Sequence, residues 1–241
     1  MLSLTHRLFL WGIMEHLIVI PTYNEAQNIE KLIRQLFKLY PESSILIVDD
    51  SSPDGTKDII FNLQKEFLKL HILVQDKKYG LSKAYSNGFK WGLEHGYDVF
   101  TSIDADFSHN PTYINQALSL IEQGYDLVCC SRYIEFKSSL NLLSFFANIY
   151  IRLLLGNDFK DWTGGFNTYT KNALLKINLD NIKSKGYIFQ TEMKYKIVQQ
   201  KCKTTEIPII FEKRQKGKSK MTLKIMIEAF IFILYLKFHN K

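Results

Sequence analysis

The chain has 241 residues, 46% of them hydrophobic and 23% charged, enough apolar side chains to bury a full core in one α/β domain and too many for the disordered class. A formal net charge of +7 points to an anionic partner, and charge alone leaves nucleic acid, a phosphorylated ligand and an acidic membrane surface open. Cys129, Cys130 and Cys202 form no C-x-x-C pair or framework spacing, so they read as buried thiols of a reducing, cytoplasmic compartment.

Residues 1–15 read as an N-terminal extension. Its apolar stretch from Leu8 to Met14 is followed by no small-residue cleavage site, which argues against a signal peptide. His16 to Pro21 and Ser44 to Asp49 are short apolar runs bounded by turn residues, as buried parallel strands are. Between them Ile29, Leu32, Ile33, Leu36 and Phe37 recur at helical spacing, and Asn24 with Gln27 resembles a capping box. Asp54 is placed to cap a second helix carrying Ile59, Ile60, Leu63 and Phe67, after which His71 to Val74 gives a third strand. A helix from about Ser82 to His95, a strand from Tyr97 to Ile103, a helix opened by Asn110-Pro111 and a strand from Asp126 to Ser131 follow. This alternation predicts a mostly parallel sheet with helices on its faces.

The remainder is less regular. It holds an apolar helix near Leu140 to Leu155, a polar loop from Asn157 to Gly165, a helix from Phe189 to Gln200 and a strand from Thr204 to Phe211. The last segment, Met221 to Phe238, is helical in pattern, but Lys224, Glu228 and Lys237 leave only Ala229 to Leu236 free of charge. That is far short of the roughly twenty residues a membrane span needs. Lys213, Arg214, Lys216, Lys218, Lys220 and Lys224 crowd just ahead of it, and a basic group beside an apolar helix favours a membrane surface over nucleic acid. The domain division expected is a catalytic domain over 16–220 and a C-terminal amphipathic helix over 221–241.

In open α/β sheets ligands sit at the carboxyl ends of the strands. Here those ends carry Pro21-Thr22-Tyr23-Asn24-Glu25, then Asp49-Asp50-Ser51-Ser52-Pro53-Asp54-Gly55, then Asp104-Ala105-Asp106. Asp104 and Asp106 are hard oxygen donors that suit Mg2+ or Mn2+ bridging to phosphate. As a lone pair they also fit a solvated turn; their place after a buried strand favours the metal. Asp50 and Glu25 are placed to accept from ribose hydroxyls or base N–H groups, and Tyr23 to pack on a base. The segment from Lys77 to Ser82 has too little glycine for a phosphate-cradling loop, and no G-x-x-x-x-G-K-[ST] or G-x-G-x-x-G occurs. Both absences argue against an NTPase or a dehydrogenase.

Taken together these segments resemble the family 2 glycosyltransferases, and within them the dolichyl-phosphate (polyprenol-phosphate) mannose synthases. Besides the three strand ends, the likeness rests on Ser-Arg-Tyr at 131–133, Asp-Trp-Thr-Gly-Gly-Phe at 161–166, Ser-Lys-Gly-Tyr-Ile-Phe-Gln-Thr-Glu-Met at 184–193 and Arg-Gln-Lys-Gly-Lys-Ser-Lys at 214–220. The resemblance implies a GT-A type, Rossmann-like fold and inverting transfer of mannose from GDP-mannose to a polyprenyl phosphate. By position, Pro21, Tyr23, Glu25, Val48 and Asp50 would hold the nucleoside, and Asp104, Ala105 and Asp106 the diphosphate and the metal. Arg132, Arg214 and Lys220 would surround the donor and acceptor phosphates with positive charge, leaving Asp104, Asp106 and Arg132 as the catalytic set.

Relatives that carry added transmembrane helices make the amphipathic segments 140–155 and 221–238 the parts expected to reach the bilayer or a small membrane anchor subunit. The expected location is thus cytoplasmic and peripheral to the membrane. Transfer from a UDP-sugar shares the same strand ends. A non-catalytic basic module is the reading from another class, and it would give the acidic pair no role.

Overall fold

The computed structural model describes residues 14–134, 142–210 and 223–239. Its first strand, β1 (His16–Thr22), is nearly all buried, and successive side chains leave it on opposite faces. Leu17 and Val19 join one apolar cluster, Ile18 and Ile20 the other. Helices must therefore cover both sides, as the alternating pattern predicts. After β1 come α1 (Ile29–Leu39), β2 (Ser44–Asp49), α2 (Thr56–Leu63), β3 (Leu70–Val74), α3 (Leu81–Glu94) and β4 (Val99–Ser102). A 3-10 turn at Pro111–Tyr113 leads into α4 (Ile114–Glu122), then β5 (Leu127–Ser131), α5 (Leu142–Leu155), β6 (Asn167–Thr170) and α6 (Lys171–Lys176). Two further 3-10 turns precede α7 (Phe189–Gln199), which is followed by β7 (Thr204–Pro208) and α8 (Leu223–His239).

The seven strands form one sheet in the order β3-β2-β1-β4-β6-β5-β7. All neighbours are parallel except β6, which runs antiparallel to both β4 and β5. The sheet is mixed α/β and mostly parallel, as expected. One consequence matters for function: β1, β2, β4 and β5 all point the same way, and reversed β6 starts where they end. The loop entering β6 therefore shares a rim with Thr22, Asp49, Ser102 and Ser131.

Helix α3 reaches the sheet closely because it carries glycine where it crosses β1, β2 and β4. A Cβ at Gly88 would fall 2.6 Å from Val19 and 2.9 Å from Val48; one at Gly92 would fall 2.5 Å from Phe100.

Two local expectations are corrected by the fold. Asp54 is not the cap of α2, whose N-cap is Gly55 at φ 87°; from one residue earlier its Oδ1 still accepts from the Thr56 amide at 3.1 Å. The Asn24–Gln27 capping box does not form. Asn24 sits at φ 61°, the left-handed region that Asn tolerates, and α1 begins only at Ile29, where the Glu25 carbonyl receives the Asn28 and Ile29 amides. The polar run is a loop, not a helix start.

Candidate active site

Short polar side chains brace the loops after β1 and β2. Asp49 is fully buried and ties the two strand ends together, accepting from Thr22 Oγ1 at 2.9 Å, Ser52 N at 2.9 Å and Ser52 Oγ at 2.6 Å. Ser52 Oγ receives the Asn24 amide, Thr56 Oγ1 the Glu25 amide and Asp54 Oδ2 the Ala26 amide. The backbone under Tyr23 and Glu25 is thereby fixed. Three non-glycine residues in left-handed conformation, Asn24, Ser51 and Phe107, mark the turns that follow β1, β2 and β4. Strained residues of this kind concentrate where a ligand is held.

Asp50, 4% exposed, accepts from Gln75 Nε2, Tyr79 N and Gly80 N, each at 2.7 Å. It thus carries the Lys77–Gly80 segment against the strand ends and puts the Lys78 ammonium 3.5 Å over the Tyr23 ring. Pro21 and Val48 are paired in the β1–β2 ladder beneath them.

After β4, Asp104 Oδ1 accepts from the hydroxyl of Tyr85 at 3.1 Å, and Asp106 Oδ1 accepts from the Ser108 amide at 3.0 Å. Ala105 is buried between them. His109 lies behind, its Nδ1 3.5 Å from the Asp104 amide. Burial pushes its imidazole below the ordinary range against the pull of Asp104 and Asp106. Gly165 faces Asp104: a Cβ there would lie 3.7 and 3.8 Å from its carboxylate oxygens. Among the described residues no three His, Cys, Asp or Glu side chains converge as a metal cage.

Arg132, at the end of β5, forms a fork with Asp161, Nε to Oδ2 at 2.7 Å and Nη2 to Oδ1 at 2.8 Å. Asp161 opens the loop that enters β6. Trp162, buried in that loop, donates its amide to Asn148 Oδ1 at 2.8 Å and its ring N–H to the Gly156 carbonyl at 3.2 Å. The rim therefore gathers Tyr23, Glu25, Asp50, Asp104, Ala105, Asp106 and Arg132, with Pro21 one rung below; the Val48 side chain is fully buried in the apolar core against α3 and is not brought to the rim. Arg214, Lys220 and the rest of the basic group lie outside the residues whose side chains are described. Tyr85, Asp161 and Lys194 were not assigned roles by sequence reasoning; the Asp-Trp-Thr-Gly-Gly-Phe segment was the one signal that could have flagged Asp161.

The sequence profile described as Glycosyl transferase family 2 matches residues 17–182. The chain is a family 2 glycosyltransferase. Among the relatives of this family 2 glycosyltransferase, the undecaprenyl-phosphate mannosyltransferase of Micrococcus luteus is 38% identical over 224 residues, covering 90% of this chain and 92% of the relative. The polyprenol monophosphomannose synthase of Mycolicibacterium smegmatis is 38% identical over 220 residues, covering 88% and 83%.

Solved structures agree on the fold. The mannosyl-3-phosphoglycerate synthase of Rubrobacter xylanophilus superposes with a TM-score of 0.72 at 16% identity, covering 95% of this chain and 74% of that one. The glucosyl-3-phosphoglycerate synthase of Mycobacterium tuberculosis, crystallised with Mn2+, UDP and phosphoglyceric acid, gives 0.71 at 13%, covering 92% and 77%. At such identities the likeness shows the GT-A fold of this family 2 glycosyltransferase.

Proposed function

We propose that the protein transfers mannose, with inversion, from GDP-mannose to a polyprenyl phosphate. The observation that carries the reading is a rim uniting an acidic pair with Arg132, in a chain 38% identical across most of its length to an enzyme named an undecaprenyl-phosphate mannosyltransferase and one named a polyprenol monophosphomannose synthase. Tyr23, Glu25 and Asp50, with Pro21 beneath, receive the nucleoside. Arg132, with Arg214 and Lys220, attracts the phosphates.

Asp104 and Asp106 would hold a divalent cation, Mg2+ or Mn2+. Two hard carboxylates with no third acidic or imidazole ligand among the described residues fit a cation completed by substrate phosphates, and the bare Gly165 leaves room beside Asp104. When bound, such a cation offsets charge on the departing diphosphate. The acceptor is a phosphate monoester already anionic at neutral pH, so its oxygen attacks the sugar carbon without a strong general base. The chain's own task is orientation and stabilisation of the leaving group.

The lipid acceptor has a matching surface. Phe146, Ile149 and Leu153 of α5 and Phe230, Ile231 and Phe238 of α8 are exposed. The two helices are joined by a Tyr150–Phe230 stack at 4.1 Å, with the Tyr150 hydroxyl donating to the Phe230 carbonyl. No described helix is long and apolar enough to cross a membrane. This face lies on the bilayer surface in our reading, either directly or through a small anchor subunit.

Isothermal titration with GDP-mannose and with UDP-glucose, in Mn2+, tests the donor assignment. Binding of GDP-mannose at least tenfold tighter is the expected result. Tight binding of UDP-glucose with none of GDP-mannose would overturn it.

A further inference from the structure

Asp161 is fully buried, and every acceptor position of its carboxylate is filled. Oδ2 takes Arg132 Nε at 2.7 Å and the Arg132 amide at 3.2 Å; Oδ1 takes Arg132 Nη2 at 2.8 Å and the Thr163 hydroxyl at 3.2 Å. An ionised carboxylate offers about four lone-pair sites. Thr163 Oγ1 is saturated as well, since it also receives Arg132 Nη2 at 2.7 Å and Asn148 Nδ2 at 3.1 Å.

The backbone around Asp161 is held from two further elements. Glu206 of β7 accepts the Lys160 and Asp161 amides at 2.7 and 2.9 Å. Lys194 of α7, itself 0% exposed, donates to the Asp161 and Gly164 carbonyls at 2.6 and 3.1 Å. Three charged side chains thus converge on one short loop. Burying an ion pair is a poor route to stability, because desolvation can exceed the Coulombic gain. What this arrangement does secure is the plane of one guanidinium, locked in fork geometry. The Arg132 side chain remains 19% exposed while its partner is at 0%.

We propose that Asp161 is a positioning residue for sugar transfer: it fixes the Arg132 guanidinium toward the reacting phosphates and takes no proton during the reaction. The inference rests on the function proposed above. A phosphate oxygen of the acceptor bonds to the sugar carbon, the bond from that carbon to the diphosphate oxygen breaks, and its electron pair leaves with the nucleotide. No proton has to move. Burial pushes the Asp161 carboxyl upward, but the charge and hydrogen bonds of Arg132 outweigh it and hold the group at about 2. The other charged or titratable groups around it are Lys194, Glu206, His109, Cys129 and Cys130.

Mannose transfer to a short polyprenyl phosphate, measured from pH 5 to 8.5 in the wild type, Asp161→Asn, Arg132→Ala and the double variant, tests this. The wild type should lose rate in acid near the second ionisation of the acceptor, about pH 6. Asp161→Asn should lower kcat on the order of 100-fold yet keep that acidic limb, with no rise in KM for the lipid. Added to Arg132→Ala, it should cause little further loss.

Disappearance of the limb in Asp161→Asn would make Asp161 the base, and multiplying losses in the double variant would make its role independent of Arg132; either overturns the proposal. Should Asp161→Asn not fold, Thr163→Val serves: it removes one hydroxyl from the fork, and kcat should fall about tenfold with the limb kept. A wild-type rate in Thr163→Val would count against the proposal. A wild type that transfers no mannose defeats the proposed function instead, because the variants are read as ratios to it.

Discussion

Tyr85 donates its hydroxyl to Oδ1 of Asp104 at 3.1 Å, joining the buried face of α3 to the acidic pair at the end of β4. The ring is 0% exposed and stacks on Phe189 at 5.7 Å, so the hydroxyl has little freedom. Burial and the neighbouring carboxylate push its phenol well above the ordinary range, which keeps it a donor. Tyr85→Phe leaves the packing and removes that bond. Orienting partners behind a metal-binding side chain typically contribute 10–100-fold in metal affinity. The apparent Mn2+ affinity, followed by GDP titration, should weaken about tenfold, with kcat at saturating Mn2+ largely retained. Unchanged Mn2+ affinity would mean that the contact does not orient Asp104 for a cation.

Under the proposed function, the apolar face of α5 is where the protein meets lipid. Leu153 is 80% exposed, so Leu153→Glu should alter folding stability by no more than about 0.5 kcal/mol. Burying a leucine is worth about 1.5–3 kcal/mol, so binding to anionic lipid vesicles should weaken at least tenfold in a sedimentation assay. Turnover of a short, soluble acceptor should be unaffected.

Stability should fall in mild acid through a residue far from the rim. His16 is buried between Ser43 Oγ at 2.8 Å and Thr101 Oγ1 at 2.9 Å, and burial lowers its pKa from 6.5 to about 3. The unfolded chain takes up this proton first. The contribution is therefore complete above pH 6.5 and is lost progressively as pH falls toward 3. That amounts to about 2 kcal/mol between pH 7 and pH 5. Denaturant midpoints at the two pH values should show the loss, and His16→Gln should flatten it.

Much of the sheet and the rim was legible in the sequence, for reasons that particular residues show. Runs such as Ser44 to Asp49 are buried on both faces, so continuous hydrophobicity located them, and a parallel sheet then forced their polar ends together. Strand β6 was not legible. Its Asn-Thr-Tyr-Thr sequence has no apolar run, and it is held by polar contacts such as Thr101 Oγ1 to Thr168 Oγ1 at 2.9 Å. Its reversal is what carries Asp161 to Arg132. Lys194 was equally hidden: a lysine in a helical stretch reads as solvated, and only the tertiary fold supplies the two carbonyls that accept from it.

Close packing of α3 makes a sharp prediction about the core. Gly88→Ala places a methyl 2.6 Å from Val19 and 2.9 Å from Val48, within the sheet that carries the rim. Overpacking of this kind costs about 1–3 kcal/mol. The urea midpoint should drop accordingly while the slope of the transition stays the same.

The central claim is tested by incubating purified protein with radiolabelled GDP-mannose, Mn2+ and a short polyprenyl phosphate, and extracting the mixture into organic solvent. Label should enter the organic phase with the wild type, require the divalent cation, and vanish with Asp106→Ala while that variant keeps the circular dichroism of the wild type. Label that stays in water with the wild type, or an Asp106→Ala variant as active as the wild type, would contradict the account.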